Sequence, residues 1–149
     1  MNSSSQGQAV LHYKLHWHIL FTHFPVSFFF ASFGFIILHL ITGKSCFEVS
    51  GFIGLIAGAA VLVPTTISGW TTWRGRYKGL KSRLFNNKIK ISYTMIGVSF
   101  ALVIYRSLYY IDHLDLVHNI WHIIYFVGIT LLVIGAIAEG YYGGRLNHR

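Results

Sequence analysis

Residues 20–41 read LFTHFPVSFFFASFGFIILHLI, twenty-two positions without an Asp, Glu, Lys or Arg. As an α-helix rising 1.5 Å per residue, such a run spans about 33 Å, enough to cross the ~30 Å hydrocarbon core of a bilayer. Three further runs, 51–73, 91–111 and 120–142, have similar length, and the only Asp, Glu, Lys or Arg among them are Arg106 and Glu139. Backbone amides in hydrocarbon have no water to bond. Uninterrupted runs of this length satisfy them internally as helices, whereas a closed barrel needs short alternating strands. The expected fold is all-α: a polytopic membrane protein with a four-transmembrane-helix antiparallel bundle, its spans at about 18–42, 51–74, 90–112 and 119–142.

Composition agrees. The chain of 149 residues is 54% hydrophobic and 11% charged, against roughly 25% charged in a soluble domain; its mean hydropathy is +0.54. A net charge of +8 and a pI near 9.8 would point a soluble chain toward nucleic acid. Here seven of the twelve Lys and Arg fall from Arg74 to Lys90, in or directly beside the connection expected over 75–89. That clustering is a topology signal, so no nucleic-acid partner is expected. The first connection holds Lys44 and Glu48 and the third Asp112 and Asp115, which puts both termini in the cytoplasm and makes the chain a multi-pass protein of the inner membrane. Residues 1–12 are expected to be a flexible tail. Residues 1–7 lack the basic n-region and cleavage site of a signal peptide, so the tail is expected to stay on the mature protein. Gly54 and Gly58 form a G-x-x-x-G pair that allows close helix contact, and Pro64 is expected to kink the second span, with Thr65, Thr66 and Ser68 rebinding freed carbonyls. The single cysteine, Cys46, excludes an intrachain disulfide, a cysteine zinc site and a C-x-x-C-H haem attachment.

Polar side chains inside such runs carry the functional information. The chain has nine histidines. Those at the ends of spans, His12, His16, His113, His118 and His148, are read as wetted interface residues. His39, near the end of the first span, and His122, near the start of the fourth, reach one depth when the helices run antiparallel. Two imidazoles at one depth on different helices are what a six-coordinate haem needs, and an interhelical hydrogen bond is the competing role. His23 lies 16 residues before His39, about 24 Å along the axis and some 160° away in phase, whereas His18 and His39 differ by about 60°. Either His18 or His23 is a candidate ligand of a second haem toward the cytoplasm. Arg106 lies at the depth of His39 and His122, where it could bind a haem propionate or pair with Asp112. Glu139, near the inner end of the fourth span, is a candidate for proton transfer to a quinone or for pairing with Arg74 or Arg76. Gly34, Gly97, Gly128 and Gly135 leave room for either a flat macrocycle or plain helix packing.

Residues 18–26, His-Ile-Leu-Phe-Thr-His-Phe-Pro-Val, resemble the opening motif H-P-x-x-V-H-F-P-I of a family of small bacterial predicted membrane proteins of unknown function, with Ile19 in place of the family's proline. Ser68-Gly69-Trp70 and Gly143-Gly144-Arg145-Leu146 look like that family's small-residue turn and terminal G-G-x-L. The V-Y-x-H-G that follows in the family has no counterpart, so His148 does not inherit that histidine's place. The resemblance implies a four-helix fold and, through the paired histidines, a b-type haem or quinone-linked role. In plan the chain is also similar to small b-type cytochrome membrane subunits.

The functional expectation is therefore a membrane cytochrome b subunit. It would hold one or two noncovalent haem b groups through His39 and His122, with His23 or His18 at a second site. It would pass electrons between a quinone pool and a partner redox subunit, acting as part of an oxidoreductase complex rather than as an enzyme alone. The rivals are a cofactor-free scaffold or assembly subunit and a small proton-coupled carrier. The carrier is disfavoured by the lack of an inverted repeat between the helix pairs. No H-E-x-x-H, phosphate-binding glycine loop or nucleophile with a nearby base occurs, which disfavours hydrolytic and phosphoryl-transfer chemistry.

Overall fold

A computed structural model describes residues 3–76, 83–110 and 120–147, with side chains described over 23–75, 83–108 and 122–145. Its four helices are α1 (Ser3–Thr42), α2 (Ser45–Arg76), α3 (Arg83–Tyr110) and α4 (Ile120–Asn147), and no strand occurs among the described residues. All four are long and apolar enough to cross a membrane. The bundle is a ring in which α1 contacts α2 and α4, and α3 contacts the same two; the diagonal pairs make no close backbone approach among the described residues.

Every seam is antiparallel, because contacts on one helix fall in number as those on its neighbour rise. In the α1–α2 seam, Ile36 lies against Gly51 and Phe29 against Gly58. In the α3–α4 seam, Leu102 lies against Gly128 and Met95 against Gly135. The α2–α3 seam joins Glu48 to Arg106 and Trp73 to Phe85, and the α1–α4 seam joins Phe33 to Phe126 and His39 to His122.

These contacts also show what the small residues do. Gly54 and Gly58 bring α2 close to α1, where Ser32 also donates a 2.6 Å hydrogen bond to the Gly51 carbonyl. The gaps at Gly128 and Gly135 are filled by Leu102 and Met95, so they serve side-chain packing and not a macrocycle, while Gly34 and Gly97 face nothing within 4 Å. The buried core runs through Phe29, Ile36, Leu55, Leu62, Met95, Leu102, Ile129 and Leu132. Large apolar side chains such as Ile41, Ile53, Ile104 and Ile137 lie exposed on the outside. A bundle apolar on both faces has no soluble surface. It is a multi-pass membrane protein, its outer face matched to lipid.

The helices outrun the apolar segments. Helix α1 begins at Ser3, so 3–12 is helix and not the expected flexible tail, and the connection expected over 75–89 shrinks because α2 reaches Arg76 and α3 starts at Arg83. Once a helix is nucleated by a membrane span, each added residue needs only one more hydrogen bond, and polar residues without proline extend it past the bilayer at little cost. Pro64 lies inside α2 without ending it. Thr65 and Thr66 donate to the Val61 and Leu62 carbonyls, and Thr72 to that of Ser68, so hydroxyls reinforce the turns beside the missing amide. Between α1 and α2, Gly43 adopts φ +67° and returns its amide to the His39 carbonyl at 2.8 Å. That left-handed cap ends α1 and is far cheaper for glycine than for residues with a Cβ.

Candidate functional site

The Gly43 turn sets the first element of the site. By folding the chain back after Thr42 it brings the Lys44 carbonyl to 2.9 Å from Nδ1 of His39. A carbonyl only accepts, so Nδ1 carries the hydrogen and, in the neutral ring, Nε2 keeps the lone pair. His39 is buried although it lies one turn from the helix end. Across the α1–α4 seam, the ring of His122 stands with its centroid 6.0 Å away, tilted by 32°. Nε2 of His122 is buried and has no hydrogen-bond partner among the described residues.

The other two helices complete the cluster. Glu48, in the first turn of α2, is ion-paired with Arg106 of α3, and both side chains are buried. The helix N-terminus favours the carboxylate, and the guanidinium supplies the countercharge that a buried carboxylate requires. Tyr125, one turn beyond His122 on α4, is 2% exposed, and its hydroxyl has no hydrogen-bond partner among the described residues. Glu48, Arg106 and His39 all lie within electrostatic reach of His122. Each of the four helices thus contributes a polar side chain to one end of the bundle. Beneath them Phe33 and Phe126 stack at 5.6 Å.

The site residues expected from sequence divide accordingly. His39 and His122 are brought together at one depth. Arg106 lies beside them, ion-paired with Glu48; Asp112 lies outside the described residues. Glu139, at the opposite end, accepts a hydrogen bond from Ser92 of α3. Of the two expected arginines, Arg74 has its guanidinium over the Trp70 ring, 4.2 Å from its centroid, and the Arg76 side chain is outside the described residues. His23 is exposed, on the side of α1 away from His39, as a 160° phase requires. The side chain of His18 lies outside the described residues, as do His148 and the side chain of His16. No second pair of histidines is assembled among the described residues.

Two members of the cluster were hidden in the sequence. Glu48 reads as a residue of the first connection, yet Ser45-x-x-Glu48 has the spacing of a capping box, which would have started α2 at Ser45 and placed the carboxylate in its first turn. Tyr125 carries no signal in the sequence that separates it from the other aromatic residues of the spans.

No family model, curated protein or solved structure matches the chain, so the chemistry rests on the geometry. A separation of about 6 Å is within the range of ordinary ring contact, and it is also that of two imidazoles facing each other across one metal, at a metal–nitrogen bond of about 2 Å and a further ~1.1 Å to each ring centre. The 6.0 Å between His39 and His122 fits that spacing. A bare zinc or copper ion takes further protein ligands, and no group of three His, Cys, Asp or Glu is assembled among the described residues. Haem brings four nitrogens of its own and needs only the axial two.

Proposed function

We propose that the chain is a membrane cytochrome b subunit, which carries electrons through one noncovalent haem b held by His39 and His122, between a quinone pool and a partner redox subunit. The observation that carries this reading is the histidine pair. Two imidazoles from different helices stand with centroids 6.0 Å apart, one oriented through Nδ1 by the Lys44 carbonyl and the other with a buried Nε2 that has no hydrogen-bond partner among the described residues. A ring nitrogen anchored to a carbonyl is the usual support of a ligating histidine. Unpaired imidazole nitrogen in hydrocarbon is costly without such a role.

Haem iron bound there would supply reversible one-electron transfer. The chain's own residues supply its environment. The Lys44 carbonyl holds the His39 ring, the Phe33–Phe126 stack closes the bundle below it, and the mutually neutralised Glu48–Arg106 pair keeps net charge at that depth low. Quinone protonation near Glu139, with Ser92 holding the carboxylate, belongs to the same proposal. The quinone and the partner subunit rest on the sequence reading.

The test is a dithionite-reduced minus oxidised spectrum of the protein isolated in its native complex, with pyridine extraction to type and count haem. The expected result is one haem b per chain, lost in His39→Leu and in His122→Leu while helical circular dichroism is unchanged. Absence of haem from the intact complex, or its retention in both variants, would overturn the reading and leave the scaffold.

A further inference from the structure

Helix α1 runs without a break from Ser3 to Thr42, whereas its charge-free apolar run begins only at Leu20. The turns before Leu20 therefore carry the helix beyond the hydrocarbon, where polar groups meet water. Four of the chain's nine histidines fall in or beside these turns: His12, His16, His18 and His23. In an unstructured tail they would have no fixed relation to one another. In a helix they acquire faces.

At about 100° per residue, positions 12, 16 and 23 share an arc of about 40°, and position 18 falls outside it. The inner end of the arc fixes which way it faces. His23 is exposed, while Pro25, about 200° further round the helix, is buried. The arc therefore continues the side of α1 turned away from the other helices. Within it, positions 12 and 16 are one turn apart, a rise of about 6 Å, and they lie about 12 Å and 6 Å beyond Leu20. Histidines at i and i+4 on one helix face have the spacing at which a helix can offer two imidazole nitrogens to one metal ion, as in H-E-x-x-H. Imidazole suits zinc and copper, whereas magnesium and calcium take oxygen ligands. His39 and His122 are enclosed in the bundle, so a bare ion between them would lack further ligands. At positions 12 and 16 water is at hand to complete the shell.

We propose that the face of α1 carrying His12 and His16 binds a divalent transition-metal ion of the zinc or copper type from the aqueous phase. The site is separate from the proposed haem pair, because position 16 lies about 35 Å along α1 from position 39. Neither site requires the other.

The experiment titrates zinc alone into the purified full-length chain, free of any polyhistidine tag, in dodecyl maltoside micelles. Calorimetry reads the binding and circular dichroism the thermal midpoint. Saturable binding of zinc and a raised midpoint are expected, with no response to magnesium. His12→Ala/His16→Ala is expected to lose that binding while keeping the helical content, and any haem content, of the parent. Leu11→His/His12→Ala keeps all nine histidines in number but sets the outer pair five residues and about 140° apart; it is expected to lose the binding too. Absence of zinc binding by the parent, an equal response to magnesium, or full retention of binding in either variant would overturn the proposal. Haem content, read separately by pyridine extraction, decides the function proposed for His39 and His122 and leaves this test untouched.

Discussion

Removing either partner of the Glu48–Arg106 pair should harm the bundle more than removing both. Their side chains are only 8% and 11% exposed. Glu48→Gln or Arg106→Met therefore strands an ion beneath the surface, for which about 3–5 kcal/mol is expected. Replacing both removes the stranded charge along with the attraction, and a buried pair exchanged for neutral groups of similar volume costs about 0–1 kcal/mol or even stabilises. The two single losses would sum to about 6–10 kcal/mol against a double loss near zero, a coupling of several kcal/mol. Equilibrium unfolding in mixed dodecyl maltoside and SDS micelles, followed by circular dichroism, measures all four corners of the cycle. Single losses below 1 kcal/mol, or additivity within about 0.5 kcal/mol, would refute the reasoning, because the two charges would then be solvated separately and would not depend on each other.

The glycines of α1 and α2 should respond oppositely to one methyl group. A Cβ at Gly58 would meet the Phe29 ring at 2.7 Å, and Phe29 is fully buried, so Gly58→Ala should destabilise by about 1–3 kcal/mol in the same unfolding assay. At Gly34 nothing lies within 4 Å, so Gly34→Ala should be neutral or stabilise by up to about 1 kcal/mol through helix propensity. His23→Leu should leave the haem content of the isolated complex unchanged, since His23 is exposed; loss of haem from this variant in the pyridine assay would contradict the His39–His122 assignment.

Most of the architecture was legible because hydrocarbon offers the backbone no alternative partners. Four long apolar runs dictate four helices, and short connections dictate antiparallel neighbours. The common depth of His39 and His122 follows from those two facts by counting residues, whereas spacing left His18 and His23 open and the structure showed His23 exposed. The helix ends were less legible, because polar residues outside the bilayer extend a helix already formed, as at Ser3 and Arg83. Glu48 belongs with them: assigned to a connection, it turned out to lie in the first turn of α2.

The linear chain determined the membrane class, the number of helices, their alternating direction and the common depth of His39, His122 and Arg106, since all of these depend on composition, length and a fixed rise per residue. Which side chain at a given depth meets which other one depended on the rotation of four helices about their axes. Packing sets that rotation, through Phe29 against Gly58 and Leu102 against Gly128. Only the tertiary structure therefore turned Arg106 toward Glu48, set Ser92 beside Glu139 and brought His39 and His122 to 6.0 Å.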